Sequence, residues 1–479
     1  MFDTLDGGTA PDPNPALRMT VIGTGYLGAT HAVCMAAIGH EVVALDVDEA
    51  KIAALASGVL PFHEPGLPEL LQEQLASGRL RFTTSAQEAA EFGDVHFICV
   101  GTPQQPGSYA ADLTYVDASV RALAAHLRRP SLVVGKSTVP VGTAARLTAM
   151  LHELAPAGED VHLTWNPEFL REGFAVEDTL RPDRLVFGVR RDGDGDGGAQ
   201  DELTLRTVYA SVIAAGTPVV VTNLSTSELV KVAANSFLAT KISFINAMAE
   251  VCEVTGSDVK DLAAALSHDT RIGGRFLRPG LGFGGGCLPK DIRAFMARAN
   301  ELGITQAVQF LREVDAINLR RRSRIVSLAL EVSDGDLSGA RVAVLGAAFK
   351  PDSDDIRDSP ALDVADALRS TGAHVVVWDP HAVPNAKRAY PQLTYATSTE
   401  DALRGADLVL LLTEWEEFCT LDPVRAGELV NRRVMVDGRQ ALPAEHWAHA
   451  GWVYRALGRP AIPHATPSGA PVSQLEGAA

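Results

Sequence analysis

The sequence predicts an α/β protein with two doubly wound domains joined by a central helical domain. Three observations carry this. Strand-length apolar runs alternate with helical stretches from Arg18 to about Val189. An apolar, alanine-rich helical block follows, from Ser225 to about Val332. The strand–helix rhythm then resumes at Arg341. Strands alternating with helices make a parallel sheet covered on both faces. A length of 479 residues suggests about three domains. With 46% hydrophobic and 21% charged residues, the chain has room for more than one packed core.

The elements follow in order. Residues 1–17 are polar and proline-rich and read as a disordered lead. They have neither the basic start nor the apolar core of a signal peptide. Met19–Ile22 is the first strand and Gly23-Thr24-Gly25-Tyr26-Leu27-Gly28 the turn after it. A helical stretch runs to Ile38, Gly39 stops it, and Glu41–Leu45 is the next strand, ending at Asp46. Further strands are expected at Val95–Val100, Leu132–Gly135, Val161–Trp165 and Leu185–Val189. The polar run between Arg190 and Asp201 resembles the start of a calcium loop. Its twelfth position is Leu203 rather than an acid, so it reads as a connecting loop. Ser225-Thr226-Ser227-Glu228 is a capping-box signature opening a long helix to about Thr255. The apolar central helices fit a helical linker, a dimer core, or both. In the last block Arg341–Leu345, Val375–Trp378, Leu408–Leu412 and Val434–Val436 are strands and Ser359–Ser370 a helix. The expected division is therefore 18–222, 223–335 and 336–457, with a disordered tail over 458–479.

A net charge of -17 argues against a general nucleic-acid or acidic-membrane surface, which needs a basic footprint. Cys34, Cys99, Cys252, Cys287 and Cys419 are odd in number, widely spaced and without a CxxC pair. A disulfide framework or structural zinc site is not indicated, and a reducing, cytoplasmic setting fits best. No uncharged apolar run is long enough to span a bilayer.

The glycine turn makes the first domain Rossmann-like. Gly23-x-Gly25-x-x-Gly28 follows a strand and opens a helix, and Asp46 ends the next strand. Glycines let a backbone approach a pyrophosphate, whose charge the helix N-terminus favours. Asp46 suits ribose hydroxyls and would repel a 2′-phosphate, so NAD is the expected cofactor. A glycine turn in an unliganded α/β domain is the plainer alternative. The second α/β block repeats the rhythm, as a distant duplication would, but its turn reads Gly346-Ala347-Ala348-Phe349-Lys350.

The richest chemistry lies in Pro279-Gly-Leu-Gly-Phe-Gly-Gly-Gly-Cys287-Leu-Pro-Lys-Asp291. Its clustered glycines suggest a loop that hugs a ligand. Pro289 suits a first helical turn, which puts Cys287 near a helix N-terminus, where a thiolate is favoured. Asp291, four residues on, could share its face. A buried, inert cysteine is the rival reading. Lys231 and Asn235 are also four apart, within an apolar stretch. Spacing alone fits a solvated face as well as a lysine that stabilises an alkoxide.

Taken together, the chain resembles the UDP-glucose/GDP-mannose dehydrogenase family from about Arg18 to Gln440. The motifs GTGYLG, KSTVPVGT, NPEFLREG, SELVKVAANSFLATKISFINAMAE, GLGFGGGCLPKD, LGAAFKPDSDDIRDSP and VDGR occur in order. The Pro182–Arg184 segment is more like the UDP-glucose branch. The resemblance implies that Cys287 is the nucleophile. It implies that Lys231 and Asp291 handle the oxyanion, protons and water, with Asn235, Glu168 and Thr138 supporting the reacting centre. Glu168 would be the acid/base or water-positioning group. For the sugar nucleotide it implies Phe169, Leu170, Arg171, Glu172, Lys231, Asn235, Phe276, Leu277, Arg278, Pro279, Gly280, Gly284, Lys350 and Arg439. Arg271 would reach a partner subunit's substrate in a homodimer or larger homo-oligomer. For NAD it implies Gly23, Thr24, Gly25, Tyr26, Leu27, Gly28, Asp46, Lys51, Thr138, Glu172, Lys290 and Arg357, and for the last domain a UDP site. No metal is implied. Gly286, where a serine is common, and Leu27 and Ala29 depart from the family pattern.

The implied reaction is a four-electron oxidation of UDP-glucose to UDP-glucuronate through a cysteine thiohemiacetal and thioester, using two NAD and one water. GDP-mannose or a UDP-N-acetyl sugar is the alternative substrate. A two-electron hydroxyacid dehydrogenase would have no use for Cys287. An inactive sugar-nucleotide-binding protein would have no reason to keep Cys287, Lys231, Asn235 and Asp291 together.

Overall fold

A computed structural model describes residues 16–190 and 197–461 of the chain. The lead up to residue 15, the tail from residue 462 and residues 191–196 of the calcium-like run lie outside the described residues. The described residues form two compact units: those up to Ser236 with Lys290–Val308, and Phe237–Pro289 with those from Gln309 onward.

The first unit is built on an eight-stranded sheet: β1 Arg18–Ile22, β2 Glu41–Leu45, β3 Leu80–Thr83, β4 Val95–Ile98, β5 Ser131–Gly135, β6 Val161–Trp165, β7 Leu185–Val189 and β8 Val219–Asn223. Their order is β3-β2-β1-β4-β5-β6-β7-β8. Alternate residues go to opposite faces, as the strand period requires. Met19, Val21, Leu132 and Val134 enter one buried cluster, while Ile22, Val133, Leu163 and Trp165 enter another. Both faces are therefore covered. The chain winds one way from β1 and the other way from β4, so these two strands flank a switch point, where such sheets bind ligands.

The sheet departs from the all-parallel expectation at one pair: β6 and β7 are antiparallel, with Trp165 opposite Gly188. Their connection holds only the six-residue helix Ala175–Leu180. An antiparallel pair needs no crossover, so residues 166–184 stay at the carboxyl edge of the sheet. The expected capping box is also corrected. The long helix runs Leu224–Thr255, and the Asn223 side chain caps it by accepting from the Thr226 N–H at 2.8 Å. Asn223 ends β8, so the helix starts one residue early. Glu228 is then released to accept from the Gly142 and Ala144 N–H groups at 2.8 and 2.6 Å, at the head of the helix Thr143–Leu154.

The second unit contains β9 Arg341–Leu345, β10 His374–Trp378, β11 Thr394–Tyr395, β12 Leu408–Leu411, β13 Val434–Asp437 and β14 Val453–Ala456. All pair in parallel in the order β11-β10-β9-β12-β13-β14. This is the order of the first six strands of the other sheet, so the second block repeats its topology as well as its rhythm. The helix expected over Ser359–Ser370 runs Pro360–Ser370, with Ser359 as its cap. The last part of the expected helical block begins as a 3₁₀ turn, Thr305–Val308, and becomes α-helical over Phe310–Glu331. The start of the expected tail is ordered. Gly458 takes positive φ, its N–H donates to Glu253 at 2.9 Å, and Arg459 pairs with Asp258 at 2.7 Å. Among the described residues no helix is long and apolar enough to cross a membrane.

Candidate active site

The glycine turn sits at the switch point of the first sheet. Gly23 has φ +91°, and a Cβ there would lie 2.8 Å from Val100 Cγ1, just past β4. A Cβ on Gly28 would lie 1.8 Å from the Gly23 carbonyl oxygen, so the helix Tyr26–Ala37 can approach the turn only without a side chain there. Gly25 differs: a Cβ would meet nothing within 4 Å. Two glycines thus close the turn and the third leaves open space at a helix N-terminus, which fits a dinucleotide's pyrophosphate.

Asp46, at the end of β2, accepts from the Thr24 N–H (2.8 Å), the Thr24 hydroxyl (2.9 Å) and Lys51 Nζ (3.0 Å) on one oxygen. Partial burial opposes its charge, but these bonds outweigh it and hold the carboxyl below its ordinary range. The chain thus keeps an anion where NAD ribose hydroxyls would be received. Asp46→Ala is expected to raise KM for NAD about tenfold, the effect of roughly 1.4 kcal/mol of hydrogen bonding. It should also narrow the preference over NADP. Steady-state kinetics with both cofactors decide it, and unchanged constants would remove Asp46 from the site.

Residues 166–184 carry the next group. Glu168 accepts from the Phe169 and Leu170 N–H groups at 2.7 and 3.1 Å on one oxygen, and pairs with Lys136 Nζ at 3.0 Å through the other. Phe169 is flanked by cations, with Arg184 3.8 Å and Lys231 Nζ 5.4 Å from the ring centroid. This ties Lys231 of the long helix to the loop that holds Glu168. Arg171 is engaged with Asp178 at 2.6 Å. Tyr26 shares a hydrogen bond with buried Glu64, and Glu64 also accepts from the Gly173 and Ala175 N–H groups, each at 2.7 Å. Burial, then Glu64, pushes the Tyr26 hydroxyl well above its usual range, so it stays protonated. Glu64 thereby links the dinucleotide helix to this loop.

Asn235 and Asp291 meet. Asn235 Nδ2 donates to Asp291 Oδ2 at 2.6 Å, and Lys290 Nζ donates to Oδ1 at 2.5 Å. Asp291 is only 1% exposed. Lys290 also reaches the Thr102 hydroxyl at 3.4 Å, which donates to the Thr138 carbonyl at 2.8 Å. Thr138, Lys290 and Asp291 line one cavity with Val232 and Arg298. Asn235 is therefore not on a solvated face.

In the second unit Cys287 is exposed and immediately precedes the helix Leu288–Glu301, with Pro289 in its first turn. Protein atoms fill the Cβ positions of the glycines before it. A Cβ on Gly282 would lie 2.4 Å from Asn318 Oδ1, on Gly284 2.3 Å from the Asp358 carbonyl, on Gly285 2.8 Å from the Phe349 ring and on Gly286 2.3 Å from the Arg357 guanidinium. The loop is clamped by paired bonds between Phe283 and Asn318, at 2.7 and 2.9 Å, and by the Asn246 side chain on the Gly280 N–H at 2.9 Å. Gly282→Ala, at φ +101°, is expected to cost about 1–3 kcal/mol. Denaturant unfolding should show a lower midpoint at unchanged slope, and an unshifted midpoint would contradict the clamp.

Arg439 donates to the carbonyls of Leu412 (2.7 Å), Gly282 (3.2 Å) and Phe349 (2.9 Å), bracing the same loop. Leu277 is buried beside Ile245, Ala249 and Cys252, so its side chain is an anchor; Pro279 and Gly280 are buried and Arg278 is exposed. Phe276 adopts φ +65°, a strained conformation for a side-chain-bearing residue. Arg271 is 88% exposed and paired with Asp269 at 2.6 Å. Lys350 follows Phe349 in the turn after β9, its Nζ 5.7 Å from that ring. Arg357 is held by Asp355 at 2.6 Å. Buried Asp379, after β10, accepts from the Ala347 and Ala348 N–H groups at 2.8 and 2.9 Å and from Trp415 Nε1 at 3.0 Å. It occupies the place that Asp46 has in the first sheet.

Sequence reasoning missed Lys136, Glu64, Asn246, Asn318 and Asp379. Lys136 stood inside the quoted KSTVPVGT segment, a cation at the end of an apolar strand, and that was its only signal.

Comparison with known proteins places these observations. Models of the UDP-glucose/GDP-mannose dehydrogenase family match in sequence: the NAD binding domain over residues 17–223, the central domain over 225–320 and the UDP binding domain over 343–444. A UDP-glucose 6-dehydrogenase of Rhizobium meliloti (strain 1021) is 43% identical over 93% of this chain and 100% of its own length. The UDP-glucose 6-dehydrogenase TuaD of Bacillus subtilis (strain 168) is 39% identical over 96% of this chain and 98% of its own. Among solved structures, a UDP-glucose dehydrogenase from the hyperthermophilic archaeon Pyrobaculum islandicum superposes with TM-score 0.83 at 38% identity, covering 92% of this chain and 98% of that one. With its two α/β sheets, its dinucleotide turn and three family domains in order, the chain belongs to the UDP-glucose/GDP-mannose dehydrogenase family.

Proposed function

We propose that this chain is an NAD-dependent UDP-glucose 6-dehydrogenase, oxidising the 6-hydroxyl of UDP-glucose to the carboxylate of UDP-glucuronate with two NAD and one water. The observation that carries this is similarity over nearly the full length, at 43% and 39% identity, to UDP-glucose 6-dehydrogenases, together with an exposed cysteine at a helix start. NAD, when bound at the glycine turn, accepts the hydride in each of the two oxidations. Lys231 stabilises the developing alkoxide. Cys287 adds to the aldehyde as a thiohemiacetal, which keeps it from escaping and presents a fresh C–H for the second oxidation. The resulting thioester is opened by water oriented by Asp291 and Glu168, which breaks C–S, forms C–O and returns the thiol. Asn235 and Lys290 keep the Asp291 carboxylate in place, and Thr138 supports the same centre.

We assign the NAD side to Gly23–Gly28, Asp46, Lys51, Glu172, Lys290 and Arg357. The sugar nucleotide falls to Phe169–Glu172, Phe276–Gly280, Gly284, Lys350 and Arg439. The domain plan we adopt is 18–222 for NAD, 223–335 for the central part and 336–457 for UDP. Five widely spaced cysteines support a cytoplasmic setting. Homodimerisation is supported by Phe237, Phe244 and Val251, which recur every seven residues on the long helix and stay about half or more exposed. Phe237→Lys with Phe244→Lys is expected to give a monomer on sedimentation, and an unchanged mass would overturn that interface.

The deciding experiment supplies UDP-glucose, GDP-mannose and UDP-N-acetyl sugars in parallel and counts NADH. Two NADH per UDP-glucose, with little from the others, is the expected result. Activity on another sugar alone would move the specificity, and one NADH per sugar would remove the thioester.

A further inference from the structure

Behind Glu168 lies a buried polar cluster that the reaction as described does not use. Lys136, 4% exposed at the end of β5, places its ammonium 3.0 Å from Glu168 Oε2, 3.1 Å from Asn166 Oδ1 and 3.3 Å from the Tyr209 oxygen. Its three N–H donors therefore each have an acceptor. Tyr209 in turn donates to Asn166 Oδ1 at 2.7 Å, and Asn166 Nδ2 donates to the Val186 carbonyl at 3.0 Å, which anchors the cluster on β7. Burial opposes the charge on Lys136, yet Glu168, the first of the opposing influences, raises its ammonium above the ordinary lysine range. A buried charge is tolerated only when paired and hydrogen-bonded, and a satisfied network of this kind is rigid.

We propose that Lys136, seated on Asn166 and Tyr209, is a positioning residue that holds Glu168 as a fixed carboxylate, so that Glu168 acts as an acceptor for water or a proton and not as an acid. This rests on the reading of Glu168 as a group at the reacting centre. The geometry supports it from both sides of the carboxylate. Oε1 is fixed by two backbone N–H groups of its own loop, and Oε2 by the ammonium of a different strand. With both oxygens tethered, the carboxylate cannot turn away. Lys136 has no need to meet substrate, and its effect must pass through Glu168.

A double-mutant cycle tests this. Lys136→Met and Glu168→Gln are each expected to lower kcat by about tenfold or more, with KM for NAD within about twofold, and the double variant to be no slower than Glu168→Gln alone. A lysine that merely stabilised the fold would multiply its loss onto that of Glu168→Gln, and a multiplied loss overturns the proposal. If Glu168→Gln is fully active, the reading of Glu168 itself fails, whatever Lys136→Met does. Should Lys136→Met not fold, Tyr209→Phe removes one acceptor of the ammonium. It is expected to slow kcat about threefold in the wild-type background and to have no effect beside Glu168→Gln; equal losses in both backgrounds overturn the proposal.

Discussion

Replacing Cys287 with alanine is expected to lower the rate of uronate formation by about three orders of magnitude or more, since loss of a nucleophile removes its whole covalent route. The other cysteines make this assignment discriminating. Burial pushes the thiols of Cys34 and Cys99 each up to about 12 and that of Cys419 to about 11. Burial also raises Cys252. None of the four is a ready thiolate near neutrality. Cys287 alone is exposed, and it stands immediately before the helix Leu288–Glu301. Serine at this position keeps a hydroxyl of similar shape but is a much poorer nucleophile and leaving group, so Cys287→Ser should stall after the early steps. The assay is NADH release together with intact mass. Wild-type enzyme quenched in turnover should carry a sugar-nucleotide adduct that neither variant carries after denaturation. Wild-type rates of uronate formation in Cys287→Ala would remove the covalent mechanism and leave a four-electron oxidation that proceeds without a thioester.

What could be read from the sequence was what is local in the chain. Gly23, Gly25 and Gly28 lie within six residues of one another, so spacing alone announces a turn opening a helix, and the structure closes that turn on Val100 and on Gly23 itself. Cys287 ahead of Leu288-Pro289 announces a helix start in the same way. What depends on distant partners was hidden. Lys136 and Glu168 are thirty-two residues apart by number, and nothing in either neighbourhood signals the other. Glu64 reads as a loop acid until the Gly173 and Ala175 N–H groups are brought to it. The direction of β7 was invisible for the same reason: its residues suit a buried strand of either sense, and the path over 166–184 decides between them. The glycine loop shows a subtler failure. Its composition correctly signals close approach, but the approaching atoms belong to Asn318, Asp358, Phe349 and Arg357. Composition reports that a Cβ is excluded and not what excludes it.

Asp291→Asn is expected to lower kcat by about 10²–10⁴-fold, the range over which a positioned acid or base contributes, while KM for NAD changes little. The carboxylate is 1% exposed and is held on one oxygen by Asn235 at 2.6 Å and on the other by Lys290 at 2.5 Å. An asparagine there keeps the volume but turns one acceptor into a donor, so either the Asn235 amide or the Lys290 ammonium faces a second donor in a buried place. Water can then be neither deprotonated nor aligned by this group. If the loss falls on hydrolysis, the two oxidations still proceed once. The variant should give a burst of about two NADH per site and accumulate the thioester as a covalent mass increment on Cys287. If it falls on the first oxidation, no burst and no adduct will appear, and Asp291 would then serve Lys231 and the alkoxide. Asn235→Ala separates positioning from chemistry at the same carboxylate. It removes one tether and leaves the charge, so its loss should be smaller, with the burst retained. Equal losses in both variants would mean that the orientation of Asp291, more than its basicity, sets the rate.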